Sequence, residues 1–358
     1  MREKVAVAHC GSFQWLGYHL KYLDAKISSM ASPLQLDSTR KFTVLSVVKD
    51  DSLPVMNLSD LLLHTLKTKD HVQHDLQRLL KSYGYVILKI NNSTKAAQVI
   101  DNMRQSLCTD FFPSSTTRNS QNLQQGEVYI SERGVPMWKT GYELCDDIRE
   151  AFRVHCGAVD DQPWPTTQSR QSWLQGMALC RHICDVCLDL IVGYDAKVRP
   201  YSGGHTWTKR DYSHRDEIAQ RHGDFSVLYA MHYFNDEVSH VARQSGNVTG
   251  TTDTTINVKE HVDPSLFVLE PFLAKTEGLQ VFCQKKNQWI TCDGPKSPIH
   301  SVLSNDESAM VLILGKALAA NTHGITPTLH RVIATPYRRR TMIYEQKYQE
   351  FFSFPGLD

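Results

Sequence analysis

The sequence predicts an α+β chain in which helices come first and an antiparallel β sandwich or barrel follows. Three observations carry that expectation. Leucines recur at helical spacing up to Leu80, and apolar residues do so again across residues 166–192. From residue 225 onward the apolar residues fall instead into short runs separated by turn residues. The hydrophobic fraction of 41% against 22% charged residues supplies a sizeable core and lacks the composition of a disordered chain.

Residues 1–52 are mixed in character and read as an N-terminal extension of unknown role. At Leu53-Pro54-Val55-Met56-Asn57-Leu58 a short strand gives way to Ser59-Asp60, a helix start signal. The helix that follows, through Leu76, Leu79 and Leu80, ends at Gly84, and Tyr85–Ile90 is a strand rich in β-branched residues. Ala96–Leu107 is a second amphipathic helix, and Pro113–Gln125, rich in Ser, Thr, Asn and Gln, has the composition of a lid-like loop. The longest helical pattern, 166–192, places Trp173, Leu174, Met177, Cys180, Cys184, Cys187 and Leu188 on one face. Strands are then expected at Phe225–Phe234, Leu266–Leu269, Leu279–Cys283, Trp289–Thr291, Ala309–Leu314, His330–Ala334 and Thr341–Tyr344, with a polar loop at Ser245–Thr255. The chain divides on this reading into 1–52, 53–165 with helices, strands and the lid loop, 166–345 with the long helix and β core, and a tail at 346–358.

Composition narrows the function. Lys+Arg 39 against Asp+Glu 38 leaves a formal charge of +1, so no bulk field points to nucleic acid or to an anionic membrane as partner. No apolar run approaches the ~20 residues of a bilayer span, and Val5-Ala6-Val7-Ala8, broken by His9, lacks the shape of a secretory signal. Nine cysteines, an odd number spread over a long chain, do not resemble a disulfide framework. A cytoplasmic location and a small-molecule partner are the expectations, with oligomeric state left open.

His261-Val262-Asp263 is the first feature with chemistry in it. On a strand, residues i and i+2 share a face, so an imidazole and a carboxylate can grip one cation together. Two histidines and one carboxylate on one face of an octahedron leave three positions open, the arrangement of non-haem Fe(II) oxygenases. His300, His323 and His330 compete for the third place. Only His330 is followed by Arg339 and Thr341, which share a face on a further strand and offer a planar cation and a hydroxyl to a distant carboxylate. The run Arg338-Arg339-Arg340 leaves a second register open, in which Arg340 faces inward and Met342 replaces the hydroxyl.

With these residues the chain resembles the iron(II)/2-oxoglutarate-dependent dioxygenase superfamily, and within it the isopenicillin N synthase-like branch. The matching pieces are His261-Val262-Asp263-Pro264-Ser265-Leu266, Glu277-Gly278-Leu279-Gln280-Val281, Trp289-Ile290, Met310–Gly315, and His330-Arg331-Val332 with Arg339-x-Thr341, all in the family's order. The likeness spans roughly 53–345 and is strongest after 225. It implies a double-stranded β-helix (jelly roll) with flanking N-terminal helices, in which His261, Asp263 and His330 ligate Fe(II). It implies that Arg339 and Thr341 bind the distal carboxylate of 2-oxoglutarate and that Tyr233 helps hold co-substrate or substrate. O2 would be the oxidant and ascorbate an accessory reductant, with succinate and CO2 released as a small organic substrate is hydroxylated, desaturated or cyclised. The chain departs from the family where Phe234 stands in place of a proline, which makes His232 a rival of Tyr233. It departs again at Ile256–Glu260, where a glycine-rich lead-in is absent, and at Asp293–Ser308, an expected insertion.

Several other readings stand beside this one. Cys180-x3-Cys184-x2-Cys187 has the spacing of an iron–sulfur motif, but at helical period it is also ordinary core. His214 and His222 could form a second metal site, against a solvated charged helix. Lys209-Arg210 and Arg338–Arg340 are isolated basic pieces without a wider basic surface. Segments Pro113–Gln125 and Ser202–Asp211 are the candidates for positioning substrate. Two alternatives to the main reading are an isopenicillin N synthase-like oxidase that takes no 2-oxoglutarate and a non-catalytic binding protein with a vestigial metal site.

Overall fold

The computed structural model describes residues 53–63, 68–112, 128–130, 136–139, 141–146, 148–156, 163–193, 226–235 and 256–348. The N-terminal extension, the Pro113–Gln125, Ser202–Asp211 and Ser245–Thr255 loops, His214, His222 and residues 349–358 lie outside them. In chain order the first elements are β1 (Val55–Asn57), α1 (Leu58–Leu62), α2 (Lys69–Tyr83), β2 (Tyr85–Asn91) and α3 (Lys95–Ser106), whose last turn widens at Leu107–Phe111. Then come β3 (Val128–Ile130), β4 (Pro136–Lys139), β5 (Gly141–Asp146), β6 (Arg149–His155), α4 (Thr167–Val192), β7 (Val227–Tyr233) and β8 (Ile256–His261). The last are β9 (Phe267–Glu270), β10 (Leu279–Cys283), β11 (Gln288–Thr291), β12 (Glu307–Leu314), α5 (Lys316–Ala320), β13 (His330–Ile333) and β14 (Arg339–Gln346).

Eight strands form one sheet in the order β1-β2-β12-β9-β14-β7-β6-β5, and four form a second in the order β11-β10-β13-β8. Apart from the parallel β1–β2 pair, every pairing in the two sheets is antiparallel. The architecture is the expected jelly roll, with its helices on the outer face of the large sheet.

Strand alternation explains the layering. Phe152 and Val154 of β6, Leu228 and Ala230 of β7, and Met342 and Tyr344 of β14 join the main core with the helices. Their odd-numbered neighbours Ala151, Met231 and Tyr233 instead pack with Val332 of the small sheet. The polar and charged members of that inward row are what a binding cavity would use.

α4 is the beam of the helical layer. Thr166 caps it by accepting from the Ser169 N–H, and Ser169 reaches back to the Thr166 N–H, a reciprocal box that satisfies two terminal donors. Trp173 is fully buried among Phe111, Phe152 and Trp164, and its indole N–H donates to Ser106 Oγ at 2.8 Å. Cys180, Cys184 and Cys187 are fully buried on the same helix. All three pack in the main hydrophobic core, and burial pushes their thiols up, Cys180 to about 12.

Three details differ from the sequence expectation. The first long helix is two, because α1 ends at Leu62 and α2 begins at Lys69; Asn57, not Ser59, holds the cap position and binds the Asp60 carboxylate. The β5–β6 hairpin has no counterpart in that expectation, because Arg149, Glu150 and Arg153 interrupt its apolar pattern. The tail begins later than 346, since Gln346 closes β14 and Tyr348 is buried with its hydroxyl on Asp185. Among the described residues no helix is long and apolar enough to cross a membrane.

Because Trp173 joins the helix to the sheet, Trp173→Ala is expected to cost about 3–5 kcal/mol in urea unfolding. A loss under about 1 kcal/mol would contradict this seating of α4.

Candidate metal centre

The centre is assembled where β8 ends and β13 begins. His330 stands directly across the antiparallel ladder from His261, and the two ring centroids are 4.3 Å apart. Asp263 lies just past the end of β8, so its position is set by the turn rather than by strand alternation. That turn is fixed by backbone bonds from Lys316 N to Asp263 O and from Ala317 N to Ser265 O. Gly315 permits the approach: a Cβ there would fall 1.8 Å from the Ser265 carbonyl oxygen.

Each imidazole is oriented from behind. His261 Nδ1 donates to Lys259 O at 2.8 Å and His330 Nδ1 to Thr328 O at 3.1 Å, which turns both Nε2 atoms inward. Thr328 is itself fixed, its hydroxyl donating to Gly84 O and accepting from Leu314 N. Asp263 presents one oxygen to each ring, at 3.1 Å from His330 Nε2 and 3.5 Å from His261 Nε2. Adjacent donors around an octahedral ion with bonds of ~2.1 Å stand ~3 Å apart. The three side chains therefore fit a divalent iron ion with small adjustments, and all their donor atoms lie within 4.8 Å of one another.

The electrostatics suit a cation. Burial alone would raise the Asp263 carboxyl, but hydrogen bonds from His261 and His330, with their charges, hold it well below the usual carboxylate range. Its hydrogen bond to Asp263 pushes His261 up, so a proton and a metal ion would compete for this place.

The other sequence candidates separate clearly. Arg339, Thr341 and Tyr233 come together on the inward face of the large sheet, with Arg339 paired to Tyr233 in register and its guanidinium carbon 5.6 Å from the Tyr233 ring centroid. Arg339 and Thr341 are fully buried and Arg340 takes the opposite face. Gly278 makes room, since a Cβ there would fall 2.3 Å from Arg339 Cδ. Three residues on from Gly278, Val281 pairs with His330, so the arginine lies about 10 Å along the sheet from the metal ligands. His232 points to the helical side instead, its Nδ1 2.8 Å from Glu150 Oε1 and Tyr142 donating to the other oxygen. His300 donates to Gly294 O from the turn at Pro298–Val302, and His323 is exposed; neither joins the cluster.

Two residues of this region were not singled out in the sequence. Asp293, fully buried, accepts from Arg339 Nε at 2.8 Å and from Arg339 Nη2, and from the backbone N–H groups of Ala274 and Leu279. Glu270, 2% exposed, accepts from Arg339 Nη2 at 3.2 Å. The available signal was a charge closing the apolar run Leu266–Leu269, and an acid opening a stretch that otherwise reads as an insertion. On the metal side, the inward row continues through Tyr229, ringed by Arg153 paired with Glu143 and by Lys347 paired with Glu345. Burial, then the charge of Glu345, pushes the Tyr229 phenol up to about 12.

No family model matches this chain. No curated protein matches it either. Solved structures do. A full-length Neurospora crassa protein in complex with alpha-KG and 5-formyluracil superposes with a TM-score of 0.52 at 17% identity, over 86% of this chain and 90% of that one. The rice dioxygenase for auxin oxidation superposes with a TM-score of 0.50 at 12% identity, over 83% of each chain. The protein thus has the jelly-roll fold of these structures.

Fe(II) or Mn(II) added without oxygen is expected to raise the melting temperature of the wild-type protein by several degrees, ~2.7 kcal/mol at a hundredfold excess over Kd. His330→Ala should show no such rise; an equal rise would place the ion elsewhere.

Proposed function

We propose that the protein is a non-haem Fe(II)- and 2-oxoglutarate-dependent dioxygenase, akin to the isopenicillin N synthase-like branch, that oxidises a small organic substrate. The observation that carries this is the three-donor cluster at octahedral spacing with a buried arginine ~10 Å along the same cavity wall. A five-carbon diacid spans roughly 5 Å between its terminal carbons, and a metal bond and a hydrogen bond at its ends extend that to about 10 Å.

Bound iron with O2 and 2-oxoglutarate would supply the oxidation, one oxygen atom leaving in succinate as CO2 is lost and the other available to the substrate. The chain's residues do the rest. His261, Asp263 and His330 would occupy one face of the ion and leave three positions for ligands. Arg339 and Thr341 would together hold the distal carboxylate of the diacid, and Tyr233 packs over the guanidinium to hold it flat. Met231 and Tyr229, with the Arg153–Glu143 and Lys347–Glu345 pairs, line the side from which substrate would approach, a surface suited to a polar molecule.

One observation favours a second reading, the oxidase that takes no 2-oxoglutarate. Arg339 already faces two carboxylates, Asp293 and Glu270, so its charge is met within the protein. Isotopically labelled 2-oxoglutarate separates the two. The dioxygenase is expected to release labelled succinate, with Arg339→Gln raising KM for the diacid at least tenfold and leaving metal affinity unchanged. Oxygen uptake without succinate, in both proteins alike, would select the oxidase.

A further inference from the structure

The two groups expected to hold the distal carboxylate of the co-substrate already hold one. Glu270 Oε1 accepts from Arg339 Nη2 at 3.2 Å, and Glu270 Oε2 accepts from Thr341 Oγ1 at 3.5 Å. Both contacts are long for a charge-assisted bond. The place is closed: Arg339 and Thr341 are 0% exposed and Glu270 2%. Asp293 takes Arg339 Nε, shares Nη2 with Glu270 and accepts from two backbone donors, while Nη1 has no partner.

Two acids therefore share one cation in a place closed to solvent, Asp293 and Arg339 being fully buried and Glu270 nearly so. An uncompensated buried charge is too costly to persist, so one of the two acids is neutral. Asp293, with bonds from Arg339 Nε and Nη2 and from two backbone N–H groups, holds the guanidinium the more closely. Glu270, with three long contacts, two of them to Arg339 Nη2, is the acid whose neutral form burial favours.

We propose that Glu270 occupies the seat of the co-substrate's distal carboxylate in the free protein and must yield it for the diacid to bind, so that Glu270 is a built-in competitor setting co-substrate affinity. The inference rests on the 2-oxoglutarate reading above. A neutral carboxyl gives way to an ionised one, because the charge-assisted bond to a guanidinium is the stronger. An ionised Glu270 would keep Arg339 for itself and repel the diacid. The groups facing it are Arg339 and Thr341 from β14, Tyr233 from β7, and Asp293 with Cys292 after β11; β12 places only Val311 opposite. Burial first, then the Asp293 charge, pushes its carboxyl up to about 8, with Arg339 pulling the other way. Below that pH the competitor is neutral and co-substrate binds at full strength; above it, affinity falls by up to tenfold per pH unit.

The test is calorimetric titration of 2-oxoglutarate into Mn(II)-loaded protein between pH 6.5 and 9.5, wild type against Glu270→Gln. The wild-type Kd is expected to rise steeply above pH 8. The Glu270→Gln profile should be flat, within threefold of wild type at pH 7 and at least tenfold tighter at pH 9. Parallel profiles, or a Glu270→Gln Kd more than tenfold weaker at pH 7, would overturn the inference. Infrared spectra of the metal-free protein add a readout that needs no co-substrate. A protonated carboxyl band at pH 7, absent from Glu270→Gln, is expected, and its absence from the wild type would also overturn the inference. Failure of both proteins to bind 2-oxoglutarate at any pH, with that band present, would instead remove the co-substrate reading and leave Glu270 as a neutral partner of Arg339.

Discussion

The pairing of His330 with His261 across β8 and β13 is the constraint on which the candidate site depends. Further along the same pair, Val332 stands opposite Val258, and that register continued to the strand ends would bring Leu329 against His261. An irregularity between the two positions shifts the ladder by one residue and brings the imidazole there instead. The extra residue lies on β8, three steps from Val258 to His261 against two from Val332 to His330, so this bulge decides whether His261 is brought opposite His330. The carbonyls of Lys259 and Thr328 then turn both rings the same way.

Chemistry is divided along the cavity wall by strand spacing. β10 and the residue before it serve as the ruler, with Val281 at the metal end and Gly278 at the arginine end. The absence of a side chain at Gly278 is what lets the Arg339 stem cross the wall, and the Asp293 carboxylate then locks the fork of the guanidinium. Rigid placement of a cation beside the Thr341 hydroxyl limits what it can bind to a small planar anion, which favours a carboxylate over a bulkier group.

Much of the fold was legible because its strands and its longest helix follow simple periods. The extent of α4 was readable from the apolar period across 166–192, and β10 from the run Leu279–Cys283. The β5–β6 hairpin was hidden because both faces of β6 are used, the even residues against the helices and the odd ones, Arg149 and Arg153 among them, toward the cavity. At the site, the His-x-Asp spacing and the strand bearing Arg339 and Thr341 pointed to the residues that the structure brings together. Glu270 and Asp293 were not legible, because a buried ion pair between residues far apart in sequence leaves no local period, and only the folded register of β9 and β14 reveals it.

The most direct measurement is an anomalous difference map at the iron absorption edge, from crystals grown without oxygen and soaked in Fe(II). The account predicts a single peak about 2.1 Å from His261 Nε2, an Asp263 carboxylate oxygen and His330 Nε2. Iron bound by any other residues, or three unaltered side chains with no peak between them, would contradict it.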